Sequence, residues 1–65
     1  MALLRFVCDR SRVGGVTVPR TVVSVDADSI PEGRRLVADV IGRRFHVSST
    51  AVLNRIRLAY REAAA

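Results

Sequence analysis

The predicted fold depends mainly on residues 29–62, which read SIPEGRRLVADVIGRRFHVSSTAVLNRIRLAYRE. Ser29 and Glu32 have the spacing of a capping box, and Pro31 lies in the first helical turn, where its missing N–H breaks no hydrogen bond. These signals predict a helix over residues 30–45. One arc of that helix is apolar and is formed by Val37, Ala38, Ile41, Gly42 and Phe45.

A second helix is predicted directly after a tight turn over residues 46–48. Ser48 is a favourable N-cap residue, and the helix is expected to run to about Glu62. Its inward face is expected to be apolar, with Val52, Leu53, Ile56, Tyr60 and Ala63. Its outward face carries polar side chains at spacings of four, three and four, namely Thr50, Asn54, Arg57 and Arg61. The C-terminal half therefore predicts a helix-turn-helix arrangement.

Two strands are predicted upstream of the helices. Residues 3–8 form a short apolar run, and residues 16–25 are rich in β-branched side chains, which favours strands in both segments. The polar segment 9–15 ends in two glycines and predicts the turn between them. Pro19 indicates an edge position or a break in the second strand. We thus expect one α+β domain over residues 1–65, with a β-hairpin in 1–28 and a helix-turn-helix in 29–63.

Length and composition restrict the class of protein. Sixty-five residues form one domain at most, and small cores are commonly supported by disulfides, metals or oligomerisation. Cys8 is the only cysteine, and no metal-binding spacing or cofactor motif is present, so we expect a homodimer without cofactors. No segment has the length of a membrane span or a signal-peptide core, which favours a cytoplasmic protein.

The charge of the chain is concentrated in its second half. All eleven basic residues are arginine, and the formal net charge is +5. Residues 1–29 carry four arginines against three acids (+1), whereas residues 30–65 carry seven against three (+4). Because the guanidinium group offers a planar set of donors to phosphates and guanine edges, this excess favours a nucleic-acid partner.

The outward face of the second predicted helix is the candidate DNA-binding surface. A helix in the major groove packs one face on its own protein and presents the other to bases and phosphates. Thr50 and Asn54 are expected to contact bases, Arg57 a guanine or a phosphate, and Arg61 the backbone. The complete predicted set of DNA-binding residues is Arg43, Arg44, Ser49, Thr50, Asn54, Arg57 and Arg61.

The sequence IGRRFHVSSTAVLNRI at residues 41–56 resembles the bacterial and phage helix-turn-helix DNA-binding domain, whose pattern is of the form LARRFGVSxxTVxRxL. Gly42 matches the small position, Val47 the apolar turn position and Ser48 the cap. His46 replaces the usual left-handed glycine, a conformation that histidine tolerates better than most residues. The resemblance implies binding to double-stranded DNA.

Two further resemblances involve the same region. Residues 47–56 are similar to the helix-turn-helix-like C-terminal segment of ImmA/IrrE-type metallopeptidases. Because their zinc site needs two histidines and this chain has one, that similarity implies a non-catalytic relative. The spacing between residues 30–32 and residues 48–50 also resembles a ribbon-helix-helix repressor, which would place the DNA-contacting ribbon at residues 22–25.

The sequence therefore predicts a sequence-specific or architectural double-stranded DNA-binding protein, such as a small transcriptional regulator or a phage accessory protein, and no enzyme. The alternative is a protein-interaction or assembly module in which the arginines are merely solvated. Leu36 and Val40 lie off the main apolar arc, and Leu58 lies opposite the second arc, so these three side chains are the candidate contacts with a protein partner. RNA binding is a third option, disfavoured by the few aromatic residues.

Overall fold

The computed structural model describes residues 2–61 and confirms an α+β fold. Five strands, one long helix, one single-turn helix and a short 3-10 turn follow one another along the chain. In order, they are β1 (Ala2–Cys8), β2 (Ser11–Val13), β3 (Val16–Val18), β4 (Thr21–Ala27), α1 (Ile30–Phe45), α2 (Ser49–Val52), the 3-10 turn (Leu53–Arg55) and β5 (Ile56–Arg61).

The main sheet has three antiparallel strands in the order β4-β1-β5. The predicted hairpin is present, because β1 and β4 pair over seven residues from Ala2 opposite Ala27 to Cys8 opposite Thr21. β5 pairs with the other edge of β1, with a register shift between Arg5 and Phe6. β1 is therefore the central strand, which agrees with its apolar sequence.

The predicted strand over residues 16–25 is divided in two. β3 ends before Pro19, and β4 begins at Thr21, so Pro19 and Arg20 separate them. β2 and β3 form a separate two-stranded ribbon joined by Gly14 and Gly15. These glycines have φ angles of 55° and 81°, which other residues rarely adopt. The segment predicted as a turn, residues 9–15, therefore contains β2, and the turn itself is limited to Gly14 and Gly15.

The first predicted helix is confirmed at both ends. Ser29 is its N-cap, and its hydroxyl oxygen accepts a hydrogen bond from the Glu32 N–H (3.2 Å). The Glu32 carboxylate in turn accepts from the Asp28 N–H (3.0 Å), which satisfies a second backbone donor. The helix ends at His46 in the left-handed conformation, with a φ angle of 56° and a ψ angle of 45°.

The second helix begins after Ser48 as predicted, but its predicted extent to about Glu62 is wrong. The helical segment after the turn is only the four residues of α2, and residues 56–61 form β5 instead. The physical reason lies in the alternation of IRLAYR, where Ile56 is buried and Leu58 packs on the core while the intervening Arg57 is exposed. This strand covers the second edge of β1. Residues 62 and 63, the end of the predicted helix-turn-helix region, lie outside the described residues.

The core lies between the sheet and α1. Its members are Leu4, Phe6, Cys8, Val18, Ala27, Val37, Ala38, Ile41, Val52 and Ile56. Leu58 packs against this cluster, so it is not the exposed partner contact that was predicted. Gly33 brings α1 close to the sheet, because a Cβ at this position would lie 2.8 Å from Cε1 of Phe6. The opposite face of the sheet carries no helix in the part of the chain described here.

Candidate nucleic-acid interface

The predicted DNA-binding residues divide into two groups in the structure. Arg43 and Arg44 are exposed in the last turn of α1. Ser49 and Thr50 begin α2 just after the turn, with Ser49 partly buried and Thr50 exposed. Arg43 and Ser49 line one groove, because the short turn brings the start of α2 next to the last turn of α1.

The remaining predicted contacts lie on the two elements that follow α2. Asn54 is exposed in the 3-10 turn, whereas Arg57 is on the strand that follows. The Nε and Nη2 of Arg57 donate to the carboxylate oxygens of Asp9, each at 3.4 Å. Arg61 is at the far end of β5 and lines a small cavity together with Ser29. Four residues of a strand span about 13 Å, so Arg57 and Arg61 cannot form a helical stripe.

The turn between α1 and α2 has the close approach that the sequence pattern indicates. The Val47 N–H donates to the Gly42 carbonyl (3.0 Å), and His46 takes the left-handed conformation that a glycine usually occupies. A Cβ at Gly42 would lie 2.9 Å from the Val47 carbonyl oxygen. Ser48 has an extended backbone at the N-cap of α2, but its side chain makes no capping hydrogen bond.

Arginines from several segments meet at one end of the molecule. Cys8 at the end of β1 is opposite Thr21 at the start of β4 and Ile56 at the start of β5, and the Asp9 N–H donates to the Arg55 carbonyl (3.1 Å). The last turn of α1 and the β2–β3 ribbon belong to this same end. We call this surface the basic end, and define it by the exposed residues Arg10, Arg12, Arg20, Arg43, Arg44 and Arg55.

The β2–β3 ribbon presents a polar face at the basic end. Arg12 and Thr17 are directly opposite each other and both exposed, so they share the outward face. The inward face holds Val18, which is fully buried, and Val13, which packs against the core. Next to the ribbon, a groove is lined by Val13, Gly14, Val16, His46, Val47, Ser48 and Ala51. The ribbon therefore lies against the turn between α1 and α2.

The ribbon was missed at the sequence level, although a signal was present. Two glycines between the short segments SRV and VTV are typical of a two-residue hairpin turn. The glycines were instead assigned to the end of a turn over residues 9–15, because that segment is polar, and residues 16–25 were predicted as one strand. Arg12 and Thr17 were consequently absent from the predicted site.

The acidic residues are mostly at the opposite end. Asp26 is at the end of β4, opposite Leu3 of β1, and Asp28 and Glu32 surround the N-terminus of α1. Two acids lie at or near the basic end: Asp9, whose carboxylate is paired with Arg57, and Asp39, which lines a groove with Arg43 and Ser49. The six arginines that define the basic end therefore outnumber the acids near them, whereas Asp26, Asp28 and Glu32 are at the other end of the sheet.

The thiol of Cys8, at the end of β1, is buried. Burial, with a smaller contribution from the Asp9 carboxylate, raises the pKa of the Cys8 thiol, which lowers the fraction of reactive thiolate. Within residues 2–61, no group of three or more His, Cys, Asp or Glu side chains is arranged to hold a metal ion. Over the same residues, no helix has the length and apolar character needed to cross a bilayer.

Comparison of the chain with protein-family models, with curated proteins and with solved structures finds no match.

Proposed function

We propose that this protein binds double-stranded DNA through its basic end. The observation that carries the proposal is the convergence of six exposed arginines, from both halves of the chain, around the β2–β3 ribbon. Arginine is the residue that most often contacts phosphates and guanine edges, and unpaired positive charge attracts the polyanion at long range.

The ribbon has the dimensions of an element that enters the major groove. That groove admits either a helix or a two-stranded β-ribbon. Arg12 is suited to a guanine edge, and the hydroxyl of Thr17, directly opposite, to a base or a phosphate. The glycines at the tip carry no side chain, which lets the backbone approach the groove closely. In this proposal the ribbon replaces the second helix as the element that contacts bases.

The turn between α1 and α2 supplies the contacts with the DNA backbone. Arg43 and Arg44 are placed to bind phosphates on one side of the ribbon, and Ser49 and Thr50 add shorter polar groups beside them. Phosphate contacts position a protein on the duplex without reading its sequence. The proposal therefore retains these four predicted residues and assigns Arg61, at the opposite end of β5, no contact with DNA.

The test is the salt dependence of binding to a pool of short duplexes, followed by fluorescence anisotropy. If the five arginines of the basic end other than Arg12 each neutralise a phosphate, the logarithm of the binding constant falls with the logarithm of salt concentration with a slope of about −4.5. The variant Arg43→Ala/Arg44→Ala is expected to reduce that slope by about two, and Arg12→Ala/Thr17→Ala to weaken discrimination among duplexes.

The matched control is Arg35→Ala/Arg61→Ala, which removes the same charge from exposed positions away from the basic end. We expect its salt slope to equal that of the wild type. An equal loss in both double variants would mean that net charge alone drives binding. The absence of binding at low salt would overturn the proposal.

A second candidate function is a protein-interaction module that uses the outer face of α1. Leu36 and Val40 are one helical turn apart and are 41% and 44% exposed, as that alternative requires. Because Leu58 is partly buried against the core, two of the three candidate contacts remain exposed, whereas interaction patches usually extend over several hundred Å². Leu36→Ser/Val40→Ser is expected to leave DNA affinity unchanged, and a loss of affinity in this variant would place the outer face of α1 on the DNA.

A further inference from the structure

The two outer strands of the main sheet have very different free edges. Among residues 2–61, β4 pairs only with β1, and its register is regular over all seven residues. Its sequence from Thr21 to Val25 contains no charged residue and no proline. β5 is interrupted by a register shift and carries Arg57 and Arg61. Bulges and charges are the usual protection of edge strands, so β5 is protected along its length, whereas β4 carries a charge only near its end, at Asp26.

The side chains of β4 indicate that the core is incompletely covered along this edge. Thr21, Val23 and Val25 alternate on the core side of the strand and are only partly buried, although both valines pack against the core cluster. Ala27, at the end of the strand, is buried at 3% exposure. A further strand alongside β4 would cover the apolar surface that remains.

We propose that β4 pairs antiparallel with β4 of a second copy of this chain, on a two-fold axis at Val23. In this register the core-side pairs are Val23 with the partner's Val23, and Thr21 with the partner's Val25. Val22 is opposite the partner's Ser24 on the outer face. Core-side residues thus meet core-side residues, which the two-residue period of a strand requires.

Charge complementarity selects this register. Arg20 precedes β4 directly and continues its outer face, because Arg20, Val22, Ser24 and Asp26 alternate and are all exposed. In an antiparallel pair, the residue numbers of any two opposite residues have the same sum. With Val23 opposite the partner's Val23, Arg20 is therefore opposite the partner's Asp26. The two-fold axis produces this pair twice. Among residues 2–61, neither Arg20 nor Asp26 forms an ion pair within its own chain.

The pairing has structural consequences for the whole protein. Two three-stranded sheets become one sheet of six strands, joined by about six to eight backbone hydrogen bonds. Both copies of α1 remain on the same face, because the axis is perpendicular to the sheet. The basic end of each copy lies beside the acidic end of the other. In a chain of this length, the pairing would bury apolar surface along β4 that the monomer leaves partly exposed.

The test is a charge reversal followed by sedimentation equilibrium without nucleic acid, which separates this inference from the DNA-binding proposal. Arg20→Asp and Asp26→Arg each set like charges opposite each other at both ends of the interface. Each is expected to raise the dimer dissociation constant by about tenfold or more. The double variant Arg20→Asp/Asp26→Arg restores opposite charges and should return the constant to near the wild-type value.

The control reverses a charge away from the edge, with Arg35→Asp, and should leave the dissociation constant unchanged. Circular dichroism of each variant shows that folding is intact. Hydrogen exchange gives a second readout, because alternate amides of β4 should exchange more slowly as protein concentration rises. A monomer at all concentrations up to about 1 mM, or a dimer that neither single reversal weakens, would overturn the inference.

Discussion

At Gly42, the helix-turn-helix sequence pattern and the structure predict opposite effects of a substitution by alanine. In the helix-turn-helix pattern this position is alanine, and alanine is more favourable than glycine in a helix by about 1 kcal/mol. From the pattern alone, Gly42→Ala should stabilise the protein. In the structure, the new Cβ would lie 2.9 Å from the Val47 carbonyl oxygen and 3.3 Å from the Ser49 nitrogen.

The contacts at Gly42 determine how much Gly42→Ala is expected to change the free energy of unfolding. Both neighbouring atoms belong to the backbone of the turn, so they cannot move away as a flexible side chain would. Overpacking of this kind costs about 1–3 kcal/mol, and moving the turn also weakens the hydrogen bond from Val47 to Gly42. After the gain in helix propensity is subtracted, we expect Gly42→Ala to lower the free energy of unfolding by about 1–2 kcal/mol.

Urea and thermal unfolding followed by circular dichroism measure this change. In a domain of this size, each kcal/mol corresponds to about 4–8 °C in Tm. Arg35→Ala serves as the control, because it changes an exposed position of the same helix and should remain within about 0.5 kcal/mol of the wild type. A Gly42→Ala variant that is more stable than the wild type would refute the close approach of the turn.

Three other predictions concern the remaining segments. Gly15→Ala forces a side chain onto a φ angle of 81° and should cost about 1–2 kcal/mol in urea unfolding; an unchanged midpoint would contradict this turn geometry. Asp9→Ala removes an exposed ion pair, with side chains 53% and 61% exposed for Asp9 and Arg57, so its effect should stay below about 1 kcal/mol in the same assay. Burial raises the pKa of the Cys8 thiol, so the native state favours the protonated form and this contribution to stability is lost as pH rises above about 8.5. Unfolding curves from pH 7 to 10 should show that decline in the wild type and a smaller decline in Cys8→Ser.

Elements with strong local signals were predicted from the sequence. The N-cap at Ser29, Pro31 in the first turn and the apolar arc of α1 specify that helix with little help from the rest of the chain. The two main strands of the hairpin follow from their apolar and β-branched sequences, and the left-handed conformation of His46 agrees with its place in the pattern. These features depend on neighbouring residues, which the sequence shows directly.

The candidate site was predicted only in part. Arg43, Arg44, Ser49 and Thr50 are close together because the turn is short enough for its geometry to follow from local sequence. Arg12 is on the same end of the molecule, but its proximity depends on how the ribbon folds back against the turn. That contact joins segments thirty or more residues apart, and no sequence pattern of a single chain displays it.

Residues 56–61 show where the sequence alone is insufficient. Val52, Leu53, Ile56 and Tyr60 fit the period of a helix, and IRLAYR also fits the period of a strand, so local patterning permits both structures. The sequence by itself determined α1, the hairpin and the positive charge. Only the tertiary structure decided between helix and strand here, because β1 has two edges and a two-stranded sheet is barely stable alone. Pairing with the second edge of β1 satisfies backbone hydrogen bonds and buries Ile56, and this gain outweighs the local preference for a helix.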